Sequence, residues 1–307
     1  MRIKEIFEKN KRTFSFEFFP PKNLNAAVRF GINAGQLMKL NPSFVTGTYG
    51  AGGSTHANTF DMVNLFNNSL NFTCMPHYTC INATEEKIAY DMRVLKDNNI
   101  QNIMLLRGDP PNGDPKALQN PDGFNYASDL VKFVKENYDH FTIGAAAYPE
   151  KHPEAKTLDE DIRNLKRKVD NGVDFLVTQM FFNNDYYYRF MDKVRKAGIN
   201  CRIIPGIMPI TNYKQIKRFA DISGAHIPES LQRKMEKSLD KPDDLYNIGL
   251  DFAIEQAHDL LENDAPGLHF YTLNKCKAAV DLYESLADDY TEIRKKYKKS
   301  FSPHMPF

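Results

Sequence analysis

The chain has 307 residues, 42% of them hydrophobic, with 40 Lys plus Arg against 39 Asp plus Glu. That is ample apolar material for one large α/β domain or two smaller ones, and the charge balance excludes a global field for nucleic acid or membrane. Four cysteines in so long a chain argue against a disulfide scaffold and for a reducing cytoplasm, and neither a membrane-length apolar stretch nor a signal-peptide core is visible.

The first predicted strand, 13–19, reads Thr-Phe-Ser-Phe-Glu-Phe-Phe and is stopped by Pro20-Pro21. It sets one carboxylate among four phenylalanines. Burying an ionised Glu without a partner costs several kcal/mol (roughly). Two readings follow: an edge strand with Glu17 in water, or a carboxyl in low dielectric that keeps its proton until it is needed.

Strand 43–49 runs into Gly47-Thr-Tyr-Gly50-Ala-Gly52-Gly53-Ser54. The spacing imitates a phosphate loop, but Gly53 stands where that loop needs lysine. What remains is a backbone that approaches a ligand closely. In strand 72–80, alternation puts Cys74 and Cys80 on one face and His77 on the other, so the three do not converge as zinc ligands require. No metal is expected. A helix follows from Thr84, with Glu85 and Glu86 in its first turn and Ile88, Met92 and Leu95 along its stripe.

Strand 102–109 repeats the opening pattern in Leu105-Leu106-Arg107-Gly108-Asp109-Pro110-Pro111. Arg107 and Asp109 are either a self-satisfying ion pair or a second functional strand end. Strand 141–148 carries Ala145, Ala146 and Ala147, small enough for a flat group to lie against. The next helix opens with the capping box Thr157-x-x-Glu160 and closes at Asn171-Gly172, with Leu158, Ile162, Leu165 and Val169 as its stripe. It places Asp161, Asn164 and Lys168 on one face beside Arg167, either a solvated face or an anion contact. Strands 174–181, 201–208 and 268–273 complete eight, with extra helical material at 228–262. Phe219, three residues after Ile216, reads as core. The basic run 294–299 reads as a solvated terminal helix.

Eight strands alternating with helices predict a parallel sheet closed into a (β/α)8 TIM-type barrel rather than a doubly wound open sheet. Unusual polar residues favour closure: Glu17, Thr48, His77, Arg107, Asp109, Tyr148 and Gln179 fall at or just past strand C-terminal ends, the face that carries chemistry in such barrels. One catalytic barrel domain, 1–307, is expected.

The motifs F-S-F-E-F-F-P-P, V-T-G-T-Y-G, P-H-Y-T-C, L-L-R-G-D-P-P, Y-A-S-D-L, A-A-Y-P-E-K-H-P-E-A, N-L-K-R-K-V-D-N-G, T-Q-M-F-F, I-I-P-G-I-M-P-I and H-F-Y-T-L-N occur in this order between about residues 13 and 274. Together they resemble the methylenetetrahydrofolate reductase family, in its short bacterial-type catalytic form. The resemblance implies a barrel that binds FAD and reduces 5,10-methylenetetrahydrofolate to 5-methyltetrahydrofolate with electrons from NADH or NADPH in a ping-pong cycle. Carried over position by position, it implies that Glu17 is the catalytic acid and that Asp109 is the acidic residue beside flavin and folate. Gln179 and Phe219 would contact folate or nicotinamide, with Gln215 and Lys275 as further substrate-side positions. FAD contacts would fall on Thr48, Tyr49, Ala51, His77, Arg107, Gly108, Asp109, Tyr126, Ala127, Tyr148, His152, Asp161, Asn164, Arg167 and Lys168. Lys275 stands where arginine is common, which loses a bidentate fork.

On that reading, Glu17 in a phenylalanine-lined pocket protonates the folate N10, and Asp109 steadies the iminium cation that results. A cytoplasmic homo-oligomer is the family expectation. Alternatives are the same chemistry fed by a partner redox protein, or a flavin-free folate- or pterin-binding barrel of methyltransferase type.

Overall fold

A computed structural model describes residues 1–49, 56–109 and 122–289. Ala51 with its glycine loop, the prolines at 110–111 and the basic run 294–299 lie outside the described residues. Among the described residues, nine short parallel strands form one sheet: β1 Thr13–Phe18, β2 Phe44–Gly47, β3 Cys74–Thr79, β4 Asn102–Leu106, β5 Thr142–Ala147, β6 Phe175–Thr178, β7 Arg202–Ile204, β8 Gly206–Ile207 and β9 Gly267–Tyr271. Their order is β7-β6-β5-β4-β3-β2-β1-β9-β8.

The expected strand 201–208 is thus split into β7 and β8. Pro205 between them has no N–H for a ladder. The segment therefore pairs with β6 before the proline and with β9 after it, while the Pro205 carbonyl accepts from the His269 N–H. One stretch of chain serves both ends of the sheet, and eight staves close the expected barrel. The other predicted strands are present but shorter. The ladder expected over 102–109 ends at Leu106, and Gly108 turns away at φ 91°, a conformation that favours glycine. Arg107 and Asp109 consequently sit on the loop rather than on the strand.

Alternation divides the residues between two cores. In β1, Phe14, Phe16 and Phe18 point outward into the helical layer, where Phe18 packs on Phe30 and Phe66, and Phe16 on Phe270 and Tyr283. Each fully buried ring stabilises the fold by ~1.5–3 kcal/mol. Ser15 and Glu17, of opposite parity, point into the barrel. Its lower interior is filled by Phe44, Met75, Met104, Phe175, Val177 and Ile204 together with Ile3, Ile6 and Phe7. The last three come from α1 (Ile3–Lys9), a plug that sequence reading did not anticipate. Asn102 pins it: its Oδ1 accepts from the Ile3 N–H at 2.7 Å and its Nδ2 donates to the Met1 carbonyl at 3.0 Å.

The outer layer comprises α2 (Leu24–Lys39), α3 (His56–Asn64), α4 (Glu85–Asp97), α5 (Ala127–Asn137), α6 (Leu158–Asp170), α7 (Asn184–Lys196), α8 (Tyr213–Ser223) and α11 (Cys276–Asp289). Thr84 and Thr157 cap α4 and α6 as expected, accepting from the N–H groups of Lys87 and Glu160. The Glu160 carboxylate returns to the N–H of Lys156, one residue before the cap. The helical material at 228–262 forms α9 (Glu229–Lys237) and α10 (Pro242–Glu262), which close with α8 over a satellite core of Met180, Phe182, Met208 and Ile210. Gly267, at φ 130°, opens β9 where a Cβ would stand 1.8 Å from the Thr13 carbonyl oxygen. No helix among the described residues is long and apolar enough to cross a membrane.

Candidate active site at the barrel mouth

Glu17 lies one residue from the end of β1, where parallel pairing sets it opposite Thr46 of β2 and Tyr271 of β9. Only 6% of it is exposed. The walls that this register builds differ from the phenylalanine-lined pocket expected from sequence. The phenylalanines occupy the other face of the strand, and the carboxylate meets imidazoles and hydroxyls. His77 Nε2 stands 3.6 Å from Glu17 Oε2, and His269 Nε2 stands 3.9 Å from the same oxygen. Burial pushes His77 down to about 4, against the pull of Glu17, so its ring is neutral at physiological pH. Burial likewise holds the Tyr271 phenol well above its ordinary range, with the charge of Glu17 adding to the effect. That hydroxyl donates to the Thr178 carbonyl at 2.6 Å. Ser15 Oγ and His269 Nδ1 are hydrogen-bonded at 2.8 Å, and the Thr272 hydroxyl donates to the Glu17 carbonyl at 2.6 Å.

Across the mouth, the loops after β4 and β5 form a second polar group. Arg107 closes its fork on Glu154, at 2.7 and 2.6 Å. Its ion pair is therefore with Glu154, and Asp109 is left exposed. Tyr148, just past β5, meets His152 edge-on at 4.8 Å. Burial pushes its phenol up to about 12, and Asp109 and Asp161 reinforce the shift. The His152 N–H donates to Asp161 at 2.9 Å. Lys168 donates to the Ala146 carbonyl at 2.6 Å, with burial lowering its amine to about 8 and Asp161 opposing. On α6, then, Asp161 and Lys168 turn inward, whereas Asn164 and Arg167 are exposed and bonded to each other at 3.2 Å.

The remaining expected positions scatter around this rim. Thr48 is buried just past β2, and Gln179 follows β6, with its N–H donating to the Ala147 carbonyl. Tyr49 instead turns its ring outward onto Tyr78, at 5.3 Å. Tyr126 is exposed and Ala127 begins α5; Gln215 and Phe219 lie half-buried on α8, and Lys275 is exposed after β9. Phe219 packs on the satellite core, in keeping with its core reading. Cys74 and Cys80 face the helices and His77 the barrel interior, as alternation requires. Burial raises both thiols, Cys80 to about 12.

Sequence reasoning missed His269, Tyr271, Ser15 and Glu154. The signal for the first two was present: alternation in Leu268-His-Phe-Tyr271 puts both on one face. Only the β1–β9 pairing places that face against Glu17. A cleft of about 440 Å³, lined by Tyr188, Arg195, Arg202 and Asn263, opens at the opposite end of the barrel and shares no residue with the mouth.

Three buried atoms bear on whether the mouth holds a polar ligand. Thr46 Oγ1, Thr48 Oγ1 and His77 Nε2 have no hydrogen-bond partner among the described residues. Orphaned buried polar atoms are costly, and a bound polar group would satisfy them.

Comparison with known proteins gives a consistent result. A family model described as "Methylenetetrahydrofolate reductase" matches residues 2–287. The chain is 38% identical over 295 residues to "Methylenetetrahydrofolate reductase (NADH) 1" of Arabidopsis thaliana, with 93% of this chain and 50% of that protein covered. It is also 38% identical over 272 residues to "5,10-methylenetetrahydrofolate reductase" of Escherichia coli (strain K12), with 89% and 90% covered. The chain thus spans about half the length of the plant relatives it matches and most of the bacterial one. Among solved structures, an uncharacterized protein from Clostridium thermocellum that binds two copies of 5-methyl-5,6,7,8-tetrahydrofolic acid superposes with a TM-score of 0.64 at 16% identity. It covers 94% of this chain and 99% of its own, a likeness of fold.

Proposed function

From the premise that this chain belongs to the methylenetetrahydrofolate reductase family, we propose that it reduces 5,10-methylenetetrahydrofolate to 5-methyltetrahydrofolate, with FAD at the barrel mouth and a nicotinamide dinucleotide as electron donor. The observation that carries this reading is the buried Glu17 at the end of β1, bracketed by two imidazoles on the face where barrels do chemistry. Bound FAD would supply the hydride-transfer chemistry that links nicotinamide oxidation to folate reduction.

The residues of the chain do the rest. Glu17 gives a proton to N10, the N10–methylene bond breaks, and the methylene stays on N5 as an iminium cation that can accept a hydride. The neutral ring of His77 keeps a positive charge away from the place where that cation forms. Asp109 offers a negative charge at the rim for the same cation. The orphaned Thr48 hydroxyl and His77 Nε2 fit the polar edge of a flavin. Lys168 and Arg167 are the cations available for the dinucleotide phosphates, because the fork of Arg107 is already filled by Glu154. Folate and nicotinamide would use the Gln179, Gln215 and Phe219 side in turn, which gives ping-pong kinetics.

Anaerobic flavin titration tests the proposal. The purified protein should be yellow, its flavin band should bleach with NADH or NADPH tried separately, and methylenetetrahydrofolate should restore the band. A colourless protein that binds folate but no flavin would favour the methyltransferase-like alternative; bleaching only by a reduced redox protein would replace the nicotinamide.

A further inference from the structure

We propose that the cleft at the end of the barrel opposite the mouth is a second ligand site, which takes a small organic anion with its carboxylate or phosphate head on Arg202 and Arg195 and an aromatic body against Tyr188. The site is independent of the flavin chemistry at the mouth. It lies between α7, the start of β7 and the turn from α10 into β9. Its volume of about 440 Å³ falls within the roughly 300–1,000 Å³ of small-molecule sites.

Charge singles this cleft out. Arg202 opens β7 and is half-buried. A guanidinium taken out of water ordinarily meets a carboxylate, because an unpaired cation is costly to desolvate. Here Nη2 donates to the carbonyls of Asn10 and Lys11, at 3.1 and 2.7 Å, while the buried Nη1 has no hydrogen-bond partner among the described residues. Burial pulls the group below its ordinary pKa, and no neighbouring carboxylate opposes that shift. The two carbonyls and the Phe7 ring, 4.6 Å away, hold the planar group in place. Arg195 of α7 lines the same cleft and also donates to carbonyls, those of Ile199 and Cys201. Against these two cations stand Asp192 and Asp264, and Asp264 is already paired with Lys11 at 3.5 Å. The balance is therefore positive. A carboxylate or phosphate oxygen at Nη1 supplies the missing acceptor and the missing charge together. Beside it, the Tyr188 hydroxyl donates to Asp259 at 2.6 Å, which fixes the ring in the wall next to Met191. Aromatic and thioether surfaces suit a flat apolar body.

Isothermal titration of the purified protein tests this with phenyl phosphate, benzoate and inorganic phosphate as separate probes. Saturable binding of phenyl phosphate or benzoate is expected, with a Kd of about 1 mM or below, and the preferred probe tells phosphate esters from carboxylates. Arg202→Gln and Arg195→Gln should each weaken that binding by about tenfold or more. Asp192→Asn, which removes an exposed negative charge from the rim, should tighten it. Arg202→Gln also gives up the bonds to Asn10 and Lys11, so Arg195→Gln and Asp192→Asn keep the test decisive if that variant folds poorly. Lys168→Gln, at the mouth, should leave the affinity unchanged. No saturable binding of either organic probe, or equal affinity for inorganic and phenyl phosphate, would overturn the proposal. So would binding that survives both arginine variants or is lost in Lys168→Gln, since the anion would then sit elsewhere.

Discussion

Replacing His77 by Gln offers a sharp test of the electrostatics at the mouth. The folded-state value of His77, about 4, lies below the ordinary 6.5 because burial penalises the charged ring. The unfolded chain therefore takes up this proton first. Stability contributed by the neutral buried ring is fully present above pH 6.5 and is lost as pH falls toward 4. Between pH 7.5 and pH 5, linkage gives a loss of about 2 kcal/mol from this one group. His77→Gln retains a polar side chain without the titration, so its stability should fall less over the same interval by that amount. Urea unfolding of both proteins at pH 7.5, 6 and 5, with matched flavin occupancy, measures the difference directly. A gap between them that stays constant across pH, or a ring proton titrating near 6.5 by NMR, would refute the claim that His77 is held neutral by burial beside Glu17.

Three further perturbations follow from the geometry. Glu17→Gln keeps the shape and removes the acid, and should slow folate reduction by roughly 10²–10⁴-fold while flavin reduction by the nicotinamide persists; equal loss in both half-reactions would reject the acid role. Asp109→Asn removes an exposed negative charge from the rim and should raise the flavin reduction potential by on the order of 10 mV, read by dye-linked redox titration, with an unchanged potential counting against it. Gly267→Ala forces a side chain into a φ of 130° and against the Thr13 backbone, so thermal or urea unfolding should show a loss of at least ~3 kcal/mol; a neutral effect would mean the β1–β9 seam yields more easily than its geometry implies.

The fold was largely written in local pattern. Strand runs such as 72–80 and 141–148 and capped helices such as the one behind Thr157 depend on alternation, helical spacing and side-chain caps, all of which act over a few residues. The barrel followed from their alternation, and the strand-end position of Glu17, Thr48, Tyr148 and Gln179 followed from it in turn. Alternation also separated Cys74 and Cys80 from His77. Its limit appeared at Glu17. The strand pattern put phenylalanines beside the carboxylate in sequence, yet successive side chains point to opposite faces, so those rings build the helical layer and leave the acid among other strands' residues.

Which residues those are could be decided only by closure. Tyr271 stands opposite Glu17, and His269 Nε2 within 3.9 Å of its carboxylate, because the last strand returns to pair with the first across some 250 positions of chain. Arg107 meets Glu154 rather than nearby Asp109 because two loops converge over the mouth. The N-terminal plug belongs to the same class: α1 is a short helix whose apolar side chains gain their burial only from a barrel already formed around them. Sequence sets the face on which a side chain lies, since that is a property of one strand. The company it keeps there depends on register and closure between distant strands, and those are properties of the whole sheet.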